Sequence, residues 1–182
     1  MTGTSRTTFL IAGICALGAV TSACAGGHPP ARSAGQRCTA VLPVPFDHVD
    51  ACSAQSVMTA AVATVFSYRP AEHITAQAAF DNAASLMSPD YAARAEPAAA
   101  VLAPITPLMW QQWASAGVIV TADVQVTGDD HPPDTATSVA RVLAVTQRPS
   151  DNSPPIELIV YARTQRADPV SGWRITQLEV KT

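Results

Sequence analysis

The chain changes its hydrophobic period near the middle. Between residues 53 and 117 apolar side chains recur every three to four positions, and from residue 118 onward they alternate. In the first half, Ser53 is placed to cap a helix over residues 53–68. Val57, Ala61 and Val65 form one i, i+4 row of it, and Met58, Val62 and Phe66 form the row beside it, giving one broad apolar face. Arg69-Pro70 ends that helix, because a residue before proline is driven out of the helical region. A second helix is predicted over residues 75–87, with Phe80, Ala83, Ala84 and Met87 on one side. Ser88-Pro89 reads as an N-cap with proline at the first helical position, opening a short third helix to Ala95. Pro97, Pro104 and Pro107 break the next stretch into one helical turn and a bend. Trp110 and Trp113 lie three apart and share a face if their stretch is helical.

After Gly117, Val118, Val120, Ala122, Val124 and Val126 alternate with polar residues, as in a half-buried strand. Residues 128–134 form a polar turn, 138–147 a second strand, and 148–155 another turn. Residues 156–165 are the third strand, 167–172 the third turn, and 173–180 the last strand. In that last strand the apolar phase slips from Trp173 and Ile175 to Leu178 and Val180, as a β-bulge causes. Helices first and an antiparallel meander second predict an α+β domain over residues 53–182, with helices packed on one face of a curved four-stranded sheet.

The amino end has neither period. Residues 9–20 (FLIAGICALGAV) are an unbroken run of apolar and small residues, short for a spanning helix of ~20 residues and within the range of a signal-peptide core. Thr21-Ser22-Ala23-Cys24 comes next and resembles the bacterial lipobox, whose cysteine becomes the lipidated first residue of the mature protein. Ser22 and Ala23 fit that pattern, and Thr21 departs from it, Leu or Val being usual there. The expectation is a signal peptide over residues 1–23, Cys24 as the lipid anchor, and attachment to the outer face of the cytoplasmic membrane. The alternatives are ordinary cleavage after Ala23 or Ala25, giving a secreted protein, and an uncleaved single-pass anchor. Residues 24–52 are rich in Gly, Pro and Ala, and Pro29, Pro30, Pro43 and Pro45 oppose both helix and central strand. They are expected to form a tether and then an irregular segment.

Composition narrows the function. Hydrophobic residues make up 48% of the 182-residue chain and charged residues 14%, which excludes a disordered chain. Net charge is −3, and loss of residues 1–23, which carry Arg6 and no acid, takes it to −4. Neither nucleic acid nor anionic lipid finds a basic patch to grip, so any membrane attachment falls to the tether. With Cys15 in the signal core and Cys24 at the cleavage point, Cys38 and Cys52 remain as an even pair in an exported chain, which reads as a disulfide. Closing a loop of ~15 residues contributes ~3 kcal/mol in the loop-entropy model. His48 and Cys52 lie four apart without a second ligand pair, so no metal is expected, and the Asp129, Asp130 and Asp134 cluster has no calcium-loop spacing and reads as a hairpin tip.

The order of three helices and then long antiparallel strands ending in Gly172-Trp173-Arg174-Ile175 resembles the cone-shaped nuclear transport factor 2-like fold over most of the mature chain. Among exported actinobacterial proteins it is similar to the conjugal-transfer TcpC-like and Mce-associated families and to the periplasmic scaffold subunits of type IV secretion systems. The resemblance implies an assembly or interaction role. Two departures stand against it: many relatives keep a transmembrane helix, and conjugal-transfer members often carry two such domains.

Enzymes on such a cone place an Asp, His or Tyr inside it. Here His28, His48, His73 and His131 all fall outside the strands, and the inward strand positions are Val118, Val120, Val124, Ile156, Leu158 and Val160. Asp81 and Tyr91 are the remaining acid–base candidates, with a packing or surface role the commoner one. Ser150-Asp151-Asn152 matches one penicillin-binding motif, but the only lysine is Lys181, so the Ser-x-x-Lys that chemistry needs is missing. Arg141, Arg163 and Arg174 are expected to pair across strands with Glu157 and Asp123. Trp110 and Trp113 read either as core aromatics or as anchors for a partner. The sequence therefore points to a non-enzymatic envelope lipoprotein with a protein partner and no cofactor; a small-molecule-binding or catalytic cone is the alternative. Mass spectrometry of the mature amino terminus is expected to find a diacylglyceryl cysteine at Cys24, and an unmodified terminus elsewhere would contradict the lipobox.

Overall fold

Capping chemistry and β alternation place most elements where the pattern puts them, and the differences fall at element ends and in the proline-rich stretches. A computed structural model of the chain describes residues 37–181; the signal segment, Cys24 and His28 lie outside the described residues. Ser53 Oγ accepts from Ser56 N at 3.2 Å and opens α1 (Ala54–Val65), whose buried face is Val57, Met58, Ala61, Val62 and Val65. The helix ends before residue 68, because the chain peels away to the sheet: Tyr68 N donates to Val120 O at 2.8 Å and Val120 N to Tyr68 O at 2.9 Å. The single helix expected over residues 75–87 is divided. α2 (Gln77–Asn82) tightens at Ala83, whose N–H donates to Phe80 O, into the 3-10 turn Ala84–Leu86. Met87 is then extended and bridges Ile175, so a sheet contact replaces the last helical turn.

Ser88 caps α3 (Pro89–Ala95) by accepting from Tyr91 N, and a 3-10 turn, Glu96–Val101, comes after it. Thr106 caps α4 (Pro107–Ala116), which is a full helix rather than a bend. Gly117 ends it with φ 65°, a left-handed conformation that favours glycine.

The strands β1 (Val120–Val126), β2 (Ser138–Pro149), β3 (Ile156–Gln165) and β4 (Arg174–Lys181) form one antiparallel meander in the order β1-β2-β3-β4. The register sets Leu143 beside Val160 and Val160 beside Val180, and it shifts between Arg163 and Thr164, where the apolar phase of β4 slips. Leu143, Val145, Leu158 and Val160 face the helices and meet Met58, Phe66, Phe80 and Leu86, all essentially inaccessible to solvent.

Residues 37–52 belong to this same body, so the folded unit starts before residue 53. Leu42, Phe46 and Ala51 are buried in the core, and Cys38 and Cys52 are joined by a disulfide. Trp173 clamps the segment: its N donates to Ala51 O at 2.8 Å and its Nε1 to Cys52 O at 3.1 Å, while the Arg166 guanidinium stacks 4.5 Å above its ring. Gly172 is required there, since a Cβ would stand 2.9 Å from the Ala40 Cβ.

The helical layer also seals both edges of the sheet. On β1 the Tyr68 bridge is joined by Ser67 Oγ, which accepts from Ala122 N at 3.0 Å. On β4, Ser88 N donates to Ile175 O at 2.8 Å and the Tyr91 hydroxyl accepts from Leu178 N at 3.0 Å. Gln147 is buried between the layers; its Nε2 donates to Phe66 O at 2.7 Å, and its Oε1 is left without a hydrogen-bond partner.

Burial holds the phenols of Tyr68 and Tyr91 above the ordinary tyrosine value, against smaller opposing effects of Gln147 on Tyr68 and of Leu178 and Arg94 on Tyr91. Folding thus favours the protonated phenols, and their contribution is complete below pH ~10 and is lost as pH rises through the raised values. Tyr91→Phe leaves the buried Leu178 N–H without its acceptor, at an expected cost of ~1–3 kcal/mol. Thermal denaturation is expected to show a melting temperature lower by roughly 3–10 °C, with a shallower fall in stability above pH ~10 than in the parent.

Candidate functional site

The most distinctive surface lies at the far end of α1 from the disulfide, where α2 begins and α4 is capped. Trp110 forms its floor. The ring is buried, its Nε1 donates to His73 O at 3.1 Å, and its edge meets Tyr68 at a centroid distance of 5.5 Å. Trp113, Val118, Val120 and Ala79 pack behind it in a second, smaller core cluster. Above the Trp110 ring is a groove of about 270 Å³ walled by Ile74, Thr75, Ala76, Ala100, Val101, Ile105, Thr106, Pro107 and Gln111, with no charged residue among them. Ile74 is 94% exposed and Val101 79%, and Leu108 on the first turn of α4 is 64% exposed. Prolines account for the position of the walls. Pro97 shapes the 3-10 turn that carries Val101, and Pro107 occupies the first turn of α4, so two short elements end beside each other with aliphatic side chains facing solvent.

A second cleft, about 310 Å³, lies on the sheet face turned away from the helices. The 127–137 loop supplies Asp130, His131 and Pro132 as one wall, with Val142, Tyr161 and Arg163 beneath. That loop is pinned by Arg141, which donates to both carboxylate oxygens of Asp134 at 2.6 Å. The hydrogen bonds from Arg141 hold the Asp134 carboxyl below the usual carboxylate range, and the same bonds to Asp134 hold the Arg141 guanidinium above its ordinary value. As pH falls through that lowered value the pairing is lost, and with it the pin.

The sequence-derived candidates disperse over this frame. Asp81 faces solvent on α2, whereas Tyr91 is buried with its hydroxyl engaged by Leu178. His48, His73 and His131 lie in loops. Among the described residues no three His, Cys, Asp or Glu side chains gather as metal ligands, and Asp129 bonds Thr127 while Asp134 bonds Arg141. The expected cross-strand pairs are rearranged: Asp123 takes Arg148 at 2.7 Å rather than Arg141, and Arg174 donates to Trp173 O rather than to an acid. Trp110 and Trp113 are both buried, so neither projects as an exposed anchor. In comparisons with protein-family models, characterised proteins and solved structures, the chain matches none. Among the described residues no helix is long and apolar enough to cross a membrane.

Two features of the groove escape a sequence reading, and one of the interior is legible only in part. Ile74 and Val101 sit in proline-broken stretches without a period, and the interior place of Gln147 shows only as a polar residue at an inward β2 position, in phase with Leu143 and Val145. The last was the one readable signal. Because Trp110 supports the groove from within the core, Trp110→Ala is expected to destabilise the fold by ~3–5 kcal/mol, while Ile74→Ser stays within ~0.5 kcal/mol. Chemical denaturation midpoints of the two variants check this contrast.

Proposed function

We propose that this chain is a non-enzymatic interaction module of the bacterial cell envelope, held to the membrane by lipid on Cys24 and built on a nuclear transport factor 2-like cone. One observation carries the reading: an uncharged groove walled by Ile74 and Val101, with exposed Leu108 next to its Pro107 wall on α4, stands over a filled interior. Aliphatic groups left in water at the mouth of an apolar depression cost free energy that a docked protein recovers. Tight aromatic and aliphatic packing occupies the space between helices and sheet where a ligand or substrate would enter a cone. The interior hydroxyl best placed for chemistry, that of Tyr91, already closes the β4 edge. At about 270 Å³ the groove is small enough to suit one or two side chains of a partner. The groove lies a helix length from the disulfide-pinned segment. The resemblance to conjugal-transfer, Mce-associated and type IV secretion scaffold proteins agrees with this role.

A photo-crosslinking residue at Leu108, introduced into the full chain in its native envelope, is expected to give one discrete adduct with another protein. Val101→Asp should abolish the adduct without lowering the melting temperature. The same adduct from a crosslinker at Ala167, exposed on the β3–β4 turn at the disulfide end, would contradict docking at the groove.

A further inference from the structure

We infer that the outer face of the sheet joins two copies of this chain, with the β3 strands antiparallel about a two-fold axis at Val160. The helix-facing side of the sheet is filled, and the opposite side carries an apolar stripe. Ile159 and Tyr161, 39% and 43% exposed, lie in register with Ala144 and Val142 of β2. Along β3 the outward positions run Glu157, Ile159, Tyr161, Arg163: an acid at one end, a base at the other, and apolar residues between. This order is self-complementary. A two-fold axis across the strand at residue 160 sets Glu157 of one copy over Arg163 of the other and Ile159 over Tyr161, with the reciprocal contacts on the other side.

The neighbouring strands repeat the pattern on the same axis. Val160 pairs with Val180, and the flanking outward residues of β4 are Glu179 and Lys181, paired with each other at 2.6 Å within one copy, so the axis sets Lys181 of one copy over Glu179 of the other and the two ion pairs meet as a four-charge cluster. On β2, Leu143 lies beside Val160, and Ala144 faces the second copy's Val142 position, where Val142 is already buried and the 127–137 loop supplies the contact surface. The alternative axis, along the strands, stacks Glu157 on Glu157 and Arg163 on Arg163, and like charges exclude it. The 127–137 loop stands over the Ala140–Val142 half of the face, so in the antiparallel arrangement each loop falls over the open Ala144–Thr146 half of the other copy. Area is sufficient. Four strands ~4.8 Å apart and about ten residues long present roughly 600 Å² per copy, so two copies bury about 1,200 Å², the lower end of specific interfaces.

Native mass spectrometry of the full-length chain purified in detergent tests this directly. The expected result is a two-copy mass for the parent, a single-copy mass for Glu157→Arg and for Arg163→Glu alone, and recovery of the two-copy mass in the double exchange. Tyr161→Lys, at the centre of the stripe, should also give the single-copy mass, with circular dichroism unchanged in all four variants. A parent that stays single up to ~100 μM, a hundredfold above a micromolar Kd, overturns the inference. So does a dimer that survives both single exchanges, or one that the double exchange fails to restore.

Discussion

Everything in this fold depends on closing the two edges of a four-stranded sheet from the helical layer. A meander leaves its first and last strands with unpaired amides and carbonyls, and an open edge both frays and recruits other strands. Here α1 unwinds into Ser67 and Tyr68 to hold β1, while the turn before α3 lends Ser88 and Tyr91 to β4. Five hydrogen bonds from four residues thereby fix the position of the helices over the sheet. Apolar burial supplies the bulk of the stability, but it is nondirectional, and these bonds decide the register at which it is gained.

Sealing the edges this way shapes the surfaces left for function. With Tyr68 turned toward β1, the Trp110 ring packs against it, and the groove forms on the other side of that ring. With the helices filling one side of the sheet, the other side carries the charges and the exposed Ile159 and Tyr161 stripe. The two surfaces are products of one constraint and face different ways, so a dimer through the sheet leaves the groove open.

Strong periods were legible in the sequence and competition between elements was not. β3 matches its alternation end to end, and the caps at Ser53 and Ser88 sit where their side chains predicted. The apolar residues of the second helix continue past Asn82 in the sequence, and nothing local announces that Met87 prefers a bridge to Ile175 over another helical turn. The α4 helix is obscured in the sequence by three nearby prolines, although Pro107 is at a helix start, where its missing N–H costs nothing. Tyr91 looked like an acid–base candidate for the reason it is structural: a buried hydroxyl needs a partner, and the partner is a strand amide nearly ninety positions away. Charge pairing across strands was anticipated in kind but not in partners, because register by itself does not say how a long arginine curls.

Native-state hydrogen exchange at the two edges is the most direct test of the edge-sealing constraint. The Val120 and Leu178 amides, bonded to Tyr68 O and to the Tyr91 hydroxyl, are predicted to exchange as slowly as the central Leu143 and Val160, through global unfolding alone. Exchange at either edge as fast as in the 128–134 loop would contradict it.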